Sequence, residues 1–176
     1  MRTTLLILTL VLTSVAINAQ PIQAAPTAEK ILGDAYTRAA KEHKNVLVMF
    51  HASWCIWCHR MDSSINDASC KQFFDDNYVI THLTVDENAP NKMLENPGAN
   101  ELRTKYHGND QGIPYWLVFD KDGKLLADSR LANGNNMGCP ASEQEVEYFK
   151  EVLKKTSKLG DKQLAVIGQR FRQNEH

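Results

Sequence analysis

The apolar run Val46-Leu47-Val48-Met49-Phe50 stops just short of Trp54-Cys55-Ile56-Trp57-Cys58-His59, and this junction constrains the fold more than any other part of the chain. A short, wholly apolar run reads as a buried strand. A CxxC that opens the helix after such a strand sets one thiol at a helix N-terminus, where backbone amides favour the thiolate. Two intervening residues keep both sulfurs within the first helical turn, so a disulfide can close without moving the backbone. Cys55, at the exposed end, is the expected attacking thiolate, and Cys58, one turn deeper, the expected resolving thiol. Ile56 and Trp57 add no charge, so the pair is expected to be less oxidising than one with a histidine inside the motif.

The rest of the chain supplies a body for that junction. Residues 27–44 place Ile31, Ala35 and Ala39 on one line of an amphipathic helix, and 45–50 follow as strand. A helix is expected from 55 to about 65, with Asn66-Asp67 capping a second helical segment through 76 whose Phe73 and Phe74 enter the core. Residues 78–85 are rich in β-branched and aromatic side chains and read as strand, and 99–106 read as helix. Residues 115–120 and 124–127 flank Asp122-Gly123, a strong hairpin signal. Ser142 with Glu145 makes a capping box ahead of Val146, Phe149 and Leu153, predicting a helix to about 157. Leu164, Ile167 and Phe171 suggest one more amphipathic helix, with no docking partner legible. The order of elements predicts an α/β protein, a central mixed sheet with helices on both faces. Its first two strands should run parallel by the right-handed crossover rule.

Trp54, Cys55, Trp57, Cys58, His59 and Met61 together resemble the WCxWCHxM motif of exported bacterial thioredoxin-like thiol-disulfide oxidoreductases. The similarity extends over 28–157. Ile113-Pro114 resembles that family's cis-proline, which lies against the CxxC and presents backbone groups to an extended substrate. The resemblance implies a thioredoxin-like fold and action on protein disulfides without a cofactor. It also implies substrate contact at Ile113 and Pro114, and a membrane thiol carrier as electron donor; Trp54 and Trp57, flanking Cys55, suit contact with partly folded polypeptide, while Trp54 equally suits packing the motif into the fold. Reduction is favoured over isomerisation or oxidation. The chain departs from the family at Met49, where thioredoxins carry a buried Asp that moves the proton of the resolving thiol. His59 and His82 are the candidates to replace it, since imidazole titrates near neutral pH; ordinary strand or surface histidines are the alternative. Cys58 and Pro114 are 56 positions apart, about fifteen more than a minimal member needs, which predicts an inserted loop at about 86–100. That loop either shapes a substrate groove or is a surface excursion.

Arg2 followed by the apolar stretch 5–12 and small residues has the layout of a secretory signal, 1–19, with cleavage placed between 16 and 25. The expectation is a periplasmic or secreted protein with a single domain over 27–176, ending in a helical extension. A formal charge of −1 over 176 residues gives no footprint for nucleic acid. No polybasic segment or second long apolar stretch suggests stable membrane insertion. Export tolerates disulfides, so Cys70 and Cys139 either form a second bridge or remain buried thiols.

Three rival readings use the same residues. Cys55-Ile56-Trp57-Cys58-His59 is a literal c-type haem attachment motif, with Met93 and Met137 available as axial ligands; the strand before it and the Ile-Pro and hairpin after it argue against a haem fold. Cys55, Cys58 and His51 could ligate zinc or copper, but one CxxC is weak support and no metal is expected. A scaffold with the same fold and no turnover would carry the same cysteines. Insulin reduction separates it from the enzyme.

Overall fold

The computed structural model describes residues 24–175; the expected secretory signal, apart from its last alternative cleavage position at Ala25, lies outside them. Helix α1 (Ala28–Glu42) opens with Thr27, whose side chain accepts the Lys30 N–H. This helix is shorter than the expected 27–44, because His43 turns left-handed at its C-cap. Strand β1 (Asn45–His51) follows, then α2 (Ile56–Ile65) and α3 (Lys71–Asn77). Asn66-Asp67 does not start α3. Asp67 instead accepts the Ser69 N–H and hydroxyl, closing a local turn that delays the helix to Lys71. Strand β2 (Tyr78–Thr84) ends one residue before the expected limit. A 3-10 helix (Ala89–Leu94) occupies the expected inserted loop and leads to α4 (Ala99–Lys105). The hairpin strands β3 (Tyr115–Phe119) and β4 (Leu125–Asp128) precede α5 (Glu143–Thr156) and α6 (Asp161–Arg172).

The four strands form one sheet in the order β2-β1-β3-β4. β1 and β2 are parallel, as a crossover connection requires, while β3 runs antiparallel to β1 and to β4. Alternation along β1 divides the core. Leu47 and Met49 face a cluster with Met61, Phe74, Trp116 and Phe149, whereas Val46, Val48 and Phe50 face Leu32, Ala35 and Ala39 of α1. Helices therefore cover both faces, and the sheet's central strands are buried over 46–50 and 115–119, consistent with their unbroken apolar runs.

The β3–β4 connection is longer than a two-residue hairpin. Asp120 accepts the Asp122 and Lys124 N–H groups, and Gly123 takes φ 82° where a side chain would be strained. α6, unplaced from sequence, docks on α5 and delivers Ile167 and Phe171 to the core beside Phe74 and Phe149. Among the described residues no helix is long and apolar enough to cross a membrane.

The α5 start is as expected: the Ser142 hydroxyl accepts the Glu145 N–H, and the Glu145 carboxylate accepts the Ser142 N–H. Ser142→Ala is expected to cost about 1 kcal/mol, read as a lowered urea midpoint at unchanged slope.

Candidate active site

The site is built where β1 ends. Cys55 N–H donates to the Ala52 carbonyl, so Ser53 and Trp54 form the tip of a tight turn that delivers Cys55 to the N-cap of α2. Cys55 and Cys58 are joined in a disulfide with Cα atoms 5.3 Å apart. The Cys58 N–H points at Cys55 Sγ from 3.1 Å, a donor positioned to stabilise the thiolate released on reduction. Cys55 is less accessible than its expected place at the exposed end: only 3% of it meets solvent. Ile113 packs against the pair, with its carbonyl oxygen 3.5 Å from Cys55 Sγ. The exposed part of the motif is its aromatic and aliphatic surround, Trp54, Ile56 and Trp57.

The Ile113-Pro114 peptide is cis. Asn136 clamps the loop around it: its Nδ2 donates to the Gly112 and Pro114 carbonyls at 2.7 and 3.0 Å, and its N–H donates to Gln111 Oε1. A groove bordered by Trp57, Ile113, Pro114, Asn136 and Gly138 runs alongside. Asn136 acts across 22 to 25 positions, and an isolated Asn carries no local signal of such a contact.

Segment 86–98 is not a detached excursion. The Asp86 carbonyl accepts the Trp54 Nε1–H at 2.8 Å, and the Glu87 carboxylate accepts both the N–H and the hydroxyl of Ser53. Arg103, 6% exposed, grips the Asp86 carboxylate with two donors. The turn bearing Cys55 is thus tethered to the insertion, a role sequence reasoning missed for Ser53, Asp86 and Glu87.

The two candidate histidines part company. His59 is exposed and its Nε2 meets the Ser53 carbonyl at 3.0 Å. His82 is half-buried on β2, in register with Met49, and its Nε2 lies 2.8 Å from Asp62 Oδ1. Asp62 stands four residues after Cys58, hence on the same side of α2 one turn along. His51 completes a polar cluster: its ring is 4.9 Å from that of His82, and its Nε2 meets Thr84 Oγ1 at 3.2 Å. Burial, and then the neighbouring His82, lower His51 from the ordinary histidine value and favour its neutral form. Among the described residues no group of three His, Cys, Asp or Glu side chains could hold a metal ion.

Cys70 and Cys139 are both buried and unbonded to one another; the bridge raised from sequence as one of two alternatives is not formed. Cys70 sits among Met61 and Phe74, and Cys139 accepts from Asn174. Burial raises Cys70 and pushes Cys139 up to about 12, so both remain protonated at neutral pH.

A mixed sheet covered on both faces, with a bonded CxxC at the strand-to-helix junction and a cis-proline beside it, defines a thiol-disulfide oxidoreductase of the thioredoxin class. The chain belongs to the thioredoxin-like domain family, whose model matches residues 32–132. Among solved structures it is similar to the disulphide isomerase of Xylella fastidiosa Temecula1, at 18% identity and TM-score 0.52, covering 90% of this chain and 99% of that one. It also matches a DsbH oxidoreductase (23%, TM-score 0.44, covering 81% and 94%). A third match is the oxidised C-terminal domain of Neisseria meningitidis DsbD (19%, TM-score 0.46, covering 73% and 98%). No curated protein matches the chain.

Proposed function

We propose that the protein reduces disulfides in exported polypeptides through Cys55 and Cys58, with Ile113-Pro114 facing the substrate. The observation that carries this is the Cys55 sulfur, capped by the Cys58 N–H and lying against the Ile113 carbonyl. In the forward reaction the Cys55 thiolate attacks one substrate sulfur, forms a mixed disulfide and expels the other as thiolate. Cys58, giving up its proton, then attacks Cys55 and releases the second substrate thiol, leaving the protein oxidised. An extended substrate strand would pair with the main chain at Ile113, while Trp54 and Trp57 offer an apolar platform to polypeptide that is not fully folded. Regeneration requires an external dithiol, for which a membrane thiol carrier is the proposed donor. Export is supported by Arg2 and the apolar run 5–12. Equilibration with glutathione tests the direction: a reductase gives a potential well below the glutathione pool, whereas a value well above it would reassign the protein as an oxidant.

We assign the proton of Cys58 to the His82–Asp62 pair, whose Asp62 follows Cys58 by four residues on α2, rather than to the exposed His59. His82→Ala is expected to slow resolution of a glutathione mixed disulfide on the order of a hundredfold near neutral pH, with the first attack by Cys55 unchanged. Stopped-flow thiol release resolves the two steps. Equal resolution rates in the variant and the parent would remove His82 from the mechanism.

A further inference from the structure

Glu87 is a buried carboxylate that the exchange steps do not use, only 4% exposed. Its Oε1 accepts the Ser53 N–H at 2.6 Å and its Oε2 accepts the Ser53 hydroxyl at 2.7 Å. The hydroxyl proton is committed to Glu87, because Asn91 Nδ2 donates to the same Ser53 oxygen from 3.3 Å. Both carboxylate oxygens therefore act as acceptors, the pattern of an ionised group. Nearby cations are engaged elsewhere: Lys92 pairs with Glu95, and Arg103 with Asp86. Among the described residues Glu87 forms no ion pair, so a negative charge is held without a counter-ion against the turn that delivers Cys55.

We propose that the Glu87 carboxylate is a positioning residue that sets the redox poise of the Cys55–Cys58 pair, making it a stronger electron donor. The proposal rests on the reductive reading above and deepens it. In the dithiol form the Cys55 thiolate carries a negative charge, and in the disulfide form it carries none. A fixed negative charge bonded to the turn that carries Cys55 raises the free energy of the thiolate and leaves the disulfide untouched. The equilibrium in which the dithiol reduces oxidised glutathione, yielding the protein disulfide and two glutathione thiols, is thereby drawn toward the protein disulfide. The helix N-terminus and the Cys58 N–H act in the opposite sense. Other ionisable groups bordering the turn are His59, which meets the Ser53 carbonyl, Asp86 with Arg103, and Glu95 with Lys92. His51 also lies within the field of Glu87.

Glu87→Gln preserves the shape and an acceptor for the Ser53 N–H while removing the charge. In glutathione buffers above the pKa of Cys55, the variant is expected to shift about tenfold toward the dithiol, equivalent to about 30 mV. The shift should fade as pH falls through that pKa, and the onset of Cys55 alkylation should move to lower pH; loss of structure alone would produce neither change. An equilibrium within about twofold of the parent at every pH overturns the proposal. Should Glu87→Gln fail to fold, Asn91→Lys supplies a counter-ion beside Ser53 from the rim and is expected to shift the equilibrium the same way. An unchanged equilibrium there is equally contrary. If the parent protein never forms a glutathione adduct through Cys55, the reductive reading itself fails, an outcome distinct from an adduct whose equilibrium ignores Glu87.

Discussion

Cys55→Ser is expected to bring insulin reduction down to the uncatalysed background. The loss should be complete although three thiols remain. Cys58 is 2% exposed and sits a turn deeper, behind the residue replaced. Cys70 and Cys139 are buried, and burial raises both above the range in which a thiolate forms at neutral pH. A serine hydroxyl in the same place has the Cys58 N–H to accept from, but it does not ionise usefully at pH 7 and cannot form a mixed disulfide. The fold should persist, since Cys55 belongs to neither large core cluster but to a small one with Ala52, Cys58 and Ile113. Turbidity on insulin reduction reads the activity, and circular dichroism verifies the fold. Residual turnover above background would mean that another sulfur is the nucleophile.

Phe149→Ala is expected to destabilise the fold by about 3–5 kcal/mol. Phe149 is 1% exposed and stands where the sheet, α3 and the C-terminal helices meet. Its ring centroid lies 5.0 Å from Phe171, 5.6 Å from Trp116 and 6.4 Å from Phe74. Truncation removes three aromatic contacts at once and leaves a cavity that side chains on three separate elements would have to refill. A domain of this size has a total stability of about 5–15 kcal/mol, so the loss is a large share of it. It also loosens α6, whose Phe171 packs on the missing ring. Urea unfolding followed by tryptophan fluorescence measures the change; a loss below about 1 kcal/mol would show that the cluster can collapse around the gap.

Most of this fold could be read locally. The unbroken apolar run of β1, the Ser142–Glu145 box and the Asp122-Gly123 turn each act within a few residues of themselves, so the sequence carries their signal. Helix ends were less legible. The left-handed backbone of His43 shortens α1, and the Asp67 carboxylate, accepting from Ser69 two residues on, closes a turn that delays α3. The docking of α6 was not legible because an amphipathic face announces that it is covered without announcing by what. At the site, the two cysteines and Ile113-Pro114 stand out by spacing. Glu87 and Asn136 do not, since they reach Ser53 across 34 positions and Pro114 across 22. A carboxylate in a polar insertion reads as solvated until the fold buries it. His82 was visible only as a titratable residue on a strand; its Asp62 partner comes from a different element, 20 positions away. Cys70 and Cys139 show the converse case, a pair that composition permits and the packing keeps as separate buried thiols.

Disulfide exchange through Cys55 is read from the intact mass of Cys58→Ser after reaction with a disulfide-containing polypeptide, followed by peptide mapping. Without its resolving thiol the protein should stall as a one-to-one covalent adduct, released by reductant and mapped to Cys55. No adduct in any redox buffer, or an adduct mapped to Cys70 or Cys139, would mean that Cys55 is not the nucleophile.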